Sequence, residues 1–235
     1  MAEKLYDFHS HILPGIDDGC KDACEAVAAL KESHAQGVCG VCLTPHFYAE
    51  ESIEEFLARR QRAREVLDRA MEADAGPFPE LCMGAEVAYY PDISHTEGIE
   101  KLCLGSSRYL LLELPFHKWG NEVLRDLRSL CARGITPILA HIDRYWSMQS
   151  GNMLSEILSL ELYAQLNGAA LLDWKRRGKA KRWLGSGLAR YLGSDCHNLS
   201  NRAPNLGAAM AKLPEDVRDA LADVGACTWI RISGR

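Results

Sequence analysis

A chain of 235 residues, 47% hydrophobic and 25% charged, can bury a sizeable core and is too ordinary in composition for a disordered or disulfide-scaffold protein. Its formal net charge of −5 argues against a nucleic-acid partner, and the most basic stretch, Lys175 to Arg182, reads as the solvated face of a helix. No apolar run approaches the ~18 residues of a membrane span, and residues 1–20 carry charges and histidines where a signal peptide needs an apolar centre.

The nine cysteines are odd in number and scattered through apolar segments, which suits buried thiols in a reducing cytoplasm better than a disulfide framework. Cys39-Gly40-Val41-Cys42 matches the redox spacing C-x-x-C. On a strand, however, i and i+3 face opposite ways, and a redox pair needs a helix N-terminus.

The first strand is built on Leu5-Tyr6-Asp7-Phe8-His9-Ser10-His11, where two imidazoles two residues apart share one face. They form an open pair of metal ligands, although an isolated H-x-H is more often a wet pair on an edge strand. A loop, Leu13 to Gly19, leads to a helix from about Asp22 to Ala35 that Gly37 is placed to stop. The second strand, Val38 to Thr44, ends in Pro45-His46. Ser52-Ile53-Glu54-Glu55 has the form of a capping box and opens a long helix to about Ala73.

A third strand, Leu81 to Val87, carries Glu86, and a fourth, Tyr109 to Leu114, carries Glu113. The helix Glu122 to Ala132 follows, and Thr136 to Ala140 then leads into His141. A helix near Leu154 to Leu162 precedes a strand, Tyr163 to Asn167, that offers no metal ligand. The basic helix Lys175 to about Gly185 is followed by Ala189 to Gly193, leading into Ser194-Asp195-Cys196-His197. Helical stretches near Asn205 to Lys212 and Pro214 to Val224 precede a final apolar run, Cys227 to Ile232. Unbroken strand–helix alternation, with no linker or repeat, predicts one α/β domain over residues 1–235 with a parallel sheet, and the length favours a TIM-like barrel.

The metal-competent residues fall at the C-terminal ends of those strands: His9, His11, His46, Glu86, Glu113, His141, Asp195 and His197. That is where barrels of this kind build active sites. A glutamate at the end of an apolar strand is costly to bury unless a cation meets it. Outside the set, His34 reads as surface, and His95 and His117 lie in loops, His117 being a candidate to line the site.

The motifs Asp7-Phe8-His9-Ser10-His11, Thr44-Pro45-His46, Gly84-Ala85-Glu86, Glu113, Ala140-His141 and Ser194-Asp195-Cys196-His197 resemble the PHP (polymerase and histidinol phosphatase) superfamily. Asp17-Asp18-Gly19, Ala85 to Tyr90, His141-Ile142-Asp143-Arg144-Tyr145, Ala164-Gln165-Leu166-Asn167 and Ser194 to Leu199 are similar to its bacterial manganese-dependent tyrosine-protein phosphatases of capsule and exopolysaccharide gene clusters. The likeness runs from about residue 5 to 210. It departs at Asp143, where the subfamily has a glutamate, and from about Val224 onward.

The resemblance implies a distorted (β/α)7 barrel, the PHP fold, holding three divalent ions, with manganese expected and iron or zinc also compatible. By position, His9 and His11 share one ion with Glu86 and Asp195. Glu86 bridges to a second held by Glu113 and His141, and Asp18, His46 and His197 hold the third. Arg144 and Arg202 match phosphate-binding arginines, while Asp7 and Asp143 stand behind the ligands, Asp7 orienting an imidazole. Three divalent ions against the carboxylates of Asp18, Glu86, Glu113 and Asp195 leave a positive balance that attracts a phosphate dianion and lowers the pKa of a bridging water towards about 7.

The implied reaction is in-line attack of a metal-bridged hydroxide on a phosphomonoester, without a phosphoenzyme. The implied substrate is a phosphotyrosine protein, the tyrosine-rich tail of a bacterial tyrosine kinase, in the cytoplasm; the oligomeric state stays open. Rival readings are a small-molecule phosphatase, such as one for histidinol phosphate, and a metal-stabilised binding module without turnover. Cys196 to Arg202 also fits C-x5-R, the spacing of cysteine-dependent tyrosine phosphatases. It has no internal glycine, and Cys196 alternates with Asp195 and His197, so its thiol is expected to face away from the metals.

Overall fold

Strand β1 (Leu5–Ser10) is followed by α1 (Ala23–Ala35), β2 (Val38–Leu43), the two-residue β3 (His46–Phe47), α2 (Ile53–Glu72), β4 (Glu80–Met83) and β5 (Glu86–Ala88). Next come β6 (Tyr109–Glu113), α3 (Asn121–Ala132), β7 (Thr136–Leu139), α4 (Gly151–Leu158), β8 (Tyr163–Asn167), α5 (Gly168–Leu172) and α6 (Arg177–Gly185). The order ends with β9 (Tyr191–Gly193), α7 (Leu206–Met210) and α8 (Glu215–Ser233). These elements belong to a computed structural model that describes residues 4–234, so the domain expected over 1–235 extends outside the described residues at both ends. Side-chain caps fix the starts of α1, α2 and α4. Asp22 accepts from the Glu25 N–H, and Ser52 and Glu55 form the reciprocal capping box, each device contributing about 1 kcal/mol.

Every strand pairing is parallel, in the orders β1-β2-β4 and β3-β5-β6-β7-β8-β9. The two sets are parts of one curled sheet. The second expected strand ends at Leu43 and pairing resumes at His46 beyond Thr44-Pro45, so these separate β2 from β3, and the third expected strand is split, Gly84-Ala85 separating β4 from β5. Pro45 has no N–H for a ladder, and the next N–H, that of His46, donates to Asp17 Oδ2 at 3.0 Å. The breaks fall just before His46 and Glu86 and re-aim both side chains. At the other side of the curl, the Asp195 N–H donates to the His9 carbonyl at 2.9 Å, and that of His11 to Cys196 at 2.8 Å. Gly193 makes this approach possible, since a Cβ there would lie 2.5 Å from His9 Cβ.

The core has two parts. One lies between the sheet and its helices, where Val41, Leu43 and Leu112 meet Leu30, Phe56, Leu67 and Leu127. The other lies inside the curl, where Phe8, Cys42, Cys82, Leu111, Ile138 and Tyr191 pack with Trp229 and Ile232. The final apolar run is therefore not a separate segment: α8 continues through Cys227–Ile232 to Ser233. Thr228, Trp229 and Ile232 are buried along it, at the spacing of one helical face. Trp229 stacks on Tyr6 at 5.3 Å and donates to Glu80 Oε2 at 2.8 Å, and a Cβ on Gly40 would strike its ring at 2.6 Å.

Two further boundaries differ from the sequence reading. Helix α4 begins at Gly151 because Ser150 accepts from the Met153 N–H, and it ends by Leu158; the weak helix formers Gly151 and Asn152 hid that start. The short helix α5 lies before the basic helix, which starts at Arg177. Among the described residues no helix is long and apolar enough to cross a membrane.

Candidate metal centre

All nine residues expected as ligands meet at the C-terminal edge of the sheet. His9 Nε2 and His11 Nε2 are 3.0 Å apart, and Glu86 Oε2 lies 3.2 and 3.1 Å from them. Asp195 Oδ1 stands 3.6 and 3.7 Å from the same two nitrogens. His141 Nε2 faces Glu86 Oε1 at 2.9 Å and Glu113 Oε1 at 3.1 Å. Asp18 Oδ1 is 3.4 Å from both His46 Nε2 and His197 Nε2. The other ring nitrogen of His46 is 3.1 Å from Glu86 Oε2, so His46 stands at the border of two groups. His11 does likewise, since its donor atom also falls among those of Asp18, His46 and His197.

Donor atoms about 2.1 Å from one ion lie about 3 Å from each other, which is the spacing of His9, His11 and Glu86. Two imidazole nitrogens this close, both backed at Nδ1 by oxygen acceptors, need a proton or a metal cation between them. The imidazoles are also oriented from behind. His11 Nδ1 donates to Asp17 Oδ2 at 2.8 Å, His197 Nδ1 to the Asp195 carbonyl at 3.0 Å, and His9 Nδ1 faces Gln165 Oε1 at 3.3 Å. Each arrangement leaves Nε2 for the centre, as in carboxylate–histidine–metal sites. The mixed nitrogen and oxygen set therefore fits a divalent transition metal.

Three supporting residues, Asp17, Gln165 and Asn167, stand in motifs that carry the resemblance but have no role assigned by the sequence. Asp17 adjoins Asp18 and also accepts from the His46 and Gly19 N–H groups. Gln165 and Asn167 lie on β8, the strand expected to be silent. Gln165 Oε1 takes the His141 N–H at 2.7 Å as well as facing His9, and Asn167 Nδ2 donates to Asp195 Oδ2 at 2.8 Å. Two amides in an otherwise apolar buried strand were the available signal. Asp143 accepts from the Asn167 N–H at 3.0 Å and from Arg176 Nη1 at 2.9 Å, and so supports Asp195 through Asn167. Asp7 corrects an expectation: its Oδ1 accepts from the N–H groups of His9 and Ser194 rather than from an imidazole. The register shifts in β1 after Asp7, which removes the simple alternation that parity reasoning assumed.

Burial opposes charge here, and the carboxylates overcome it. His11 is desolvated, yet Asp17 and Glu86 push its pKa up to about 10; for His141, Glu113 and Glu86 outweigh burial and push it up to about 9. Burial, with His11 beside it, brings His197 down to about 4. Burial would raise Glu86 and Asp195, but His9 and its neighbours hold both well down, aided at Asp195 by Arg144. The buried carboxylates thus stay ionised and draw positive charge towards the shared donor atoms. His141 and Asp195 both adopt positive φ, 32° and 53°, at a cost of about 1–3 kcal/mol each of the kind stored at functional sites.

Arg144 and Arg202 reach this centre from its rim. Arg144 Nη2 bonds Asp195 Oδ2, and Arg202 Nη2 bonds Asp195 Oδ1 at 2.6 Å. Both guanidiniums are about one-third exposed, open to an incoming anion. Cys196, by contrast, is buried, its thiol pushed up by desolvation. The N–H groups of Ser200 and Arg202 are taken by Asn198 Oδ1, and that of His197 by the Arg202 carbonyl. They form no cradle for a phosphate. His34 is on α1 and His95 in a 3-10 turn, while His117 is exposed with Nδ1 against the Lys118 carbonyl. None of the three joins the donor groups found among the described residues.

The chain is similar along most of its length to proteins of known activity. The tyrosine-protein phosphatase CpsB of Streptococcus pneumoniae is 32% identical over 222 residues, spanning 87% of this chain and 88% of that protein. The tyrosine-protein phosphatase YwqE of Bacillus subtilis is 24% identical over 206 residues, 84% of this chain and 79% of the other. One chain among the crystal structures of YwqE from Bacillus subtilis and CpsB from Streptococcus pneumoniae, unique metal-dependent tyrosine phosphatases, shares the fold with a TM-score of 0.74 at 20% identity, over 88% of this chain and 85% of that chain. The capsular polysaccharide synthesis CpsB/CapC family matches residues 5–223, and with the strand-end centre just described the chain belongs to that family.

Proposed function

We propose that this chain is a metal-dependent phosphomonoester hydrolase, a protein-tyrosine phosphatase acting at the strand-end centre. The observation that carries the proposal is the convergence of His9, His11, Glu86 and Asp195 donor atoms at 3.0–3.7 Å with two arginines on the same carboxylate. We read the curled sheet as a distorted (β/α)7 barrel in which β2 with β3, and β4 with β5, each count as one interrupted strand. The whole chain, 1–235, is then one phosphatase domain.

In this reading three divalent ions, with manganese first in order of expectation, are held by three sets. These are His9, His11, Glu86 and Asp195; Glu86, Glu113 and His141; and Asp18, His46 and His197. When bound, the ions supply a water of lowered pKa and neutralise charge on the phosphoryl oxygens. Arg144 and Arg202 turn from Asp195 to the phosphate, fixing it in line for attack. Asp17, Gln165 and the Asp195 carbonyl keep the ligand imidazoles in one tautomer. The water would give one proton to solvent, its oxygen would bond to phosphorus as the bond to the ester oxygen breaks, and the departing phenolate would take a proton back from solvent. A phenolate, with a conjugate-acid pKa of about 10, leaves readily without a dedicated acid.

The substrate class follows from the named activity of the relatives, tyrosine-protein phosphatases. We take it to be the tyrosine-rich tail of a bacterial tyrosine kinase in capsule or exopolysaccharide regulation, acted on in the cytoplasm. The test is metal analysis of purified protein with a side-by-side assay at saturating Mn²⁺. Chelator treatment is expected to abolish activity and Mn²⁺ to restore it, with kcat/KM highest for phosphotyrosine peptides. Full activity without metal would end the metal mechanism, and faster turnover of histidinol phosphate would favour a small-molecule phosphatase.

A further inference from the structure

Two large aromatic side chains at the mouth of the centre are half exposed: Phe116 at 53% and Tyr48 at 49%. Each lies nearly parallel to a histidine of the centre. Phe116 stacks on His141 at 6.0 Å and 20°, and Tyr48 on His46 at 5.4 Å and 25°. Those two imidazoles approach opposite oxygens of Glu86, His141 at Oε1 and His46 at Oε2. The rings therefore stand on the outer faces of two side chains that flank one carboxylate. Phe116 is backed further by Tyr145 at 5.2 Å and 27°, whose hydroxyl donates to the Leu114 carbonyl. Its orientation is thus fixed from behind while its remaining surface stays in water. Elsewhere the rim is ionic, formed by Asp18, Arg144 and Arg202.

We propose that Phe116 and Tyr48 are specificity-determining residues that receive the phenol ring of an aryl phosphate. This rests on the phosphatase reading and deepens it. The rings cover apolar area only where the ester carries an aromatic group, because the methylene of phosphoserine is too short and too small to cover either. Aromatic pairing contributes beyond area burial, and the increment corresponds to roughly a three- to tenfold preference for each ring. Neither residue handles the reacting atoms.

The experiment compares kcat/KM for a phosphotyrosine peptide and a phosphoserine peptide of the same sequence, with bound metal measured in every sample. In Phe116→Ala and Tyr48→Ala the tyrosine-to-serine ratio is expected to fall three- to tenfold, and Phe116→Tyr is expected to restore it. An unchanged ratio in both alanine variants overturns the proposal. Should Phe116→Ala lose metal through its packing on His141, Phe116→Leu, which keeps the bulk but not the ring, takes its place. Inhibition of the unaltered protein provides an independent check. Phenylphosphonate should bind at least three times more tightly than methylphosphonate, and equal inhibition rejects aryl recognition. Absence of any phosphatase activity in the metal-loaded protein would instead reject the phosphatase reading itself.

Discussion

The two ends of the curled sheet are built from opposite chemistries. At the C-terminal ends of the strands, His9, His11, Glu86, His141, Asp195 and His197 are buried polar groups that face one another. At the other end, Tyr6, Phe8, Cys42, Cys82 and Trp229 make an apolar plug supplied partly by α8. The polar end tolerates ionised carboxylates and left-handed backbone at two of its residues, and the apolar end supplies packing that offsets such costs. Stability and chemistry are thereby divided along the strand direction, and substitutions at the two ends should have separable effects.

The largest effect is expected at Glu86, which faces His9, His11, His46 and His141. Glu86→Ala should lower kcat by about a thousandfold or more while the circular dichroism spectrum is retained; a variant within tenfold of the parent would show that the carboxylate is dispensable. At the apolar end, Trp229→Ala should lower the unfolding free energy by about 3–5 kcal/mol. Metal stoichiometry of the folded protein should not change. An unaltered urea midpoint would mean that α8 does not close that end. Asp17→Ala tests the support behind the ligands: loss of the acceptor for His11 Nδ1 should weaken metal affinity about 10- to 100-fold, read by competition with a chelator. The smallest effect belongs to Cys196. Cys196→Ser should keep kcat within about threefold, since its thiol is buried and away from the donor groups. A folded, metal-loaded but inactive variant would revive the cysteine nucleophile.

How much of this was legible in the sequence depended on the kind of residue. His9, His11, His46, Glu86, Glu113, His141, Asp195 and His197 stood out because their chemistry is distinctive and because strand ends recur at readable intervals. Asp18 was placed by resemblance alone, since it sits in a loop after β1. Gln165 and Asn167 stood in a motif of the resemblance but carried no role, because amides are not ligands and their part exists only across pairings such as Gln165 with His9, 156 positions apart. Asp7 was misread because the register of β1 shifts where strict alternation was assumed. The run Cys227–Ile232 could not be assigned, since a short apolar stretch has no periodicity to separate a helix from a strand.

The plug at the apolar end has a consequence for how the protein is made. Tyr6 and Trp229, stacked in the finished fold, lie at nearly opposite extremes of the described chain. During synthesis the strands emerge well before α8, so Phe8, Cys42 and Cys82 wait without the helix that covers them. Long-range closure of this kind slows folding and leaves apolar surface open to other chains in the interval. Nascent chains stopped just before Trp229 should therefore be the species most prone to aggregate, even though every residue of the metal centre, through Arg202, has already been joined.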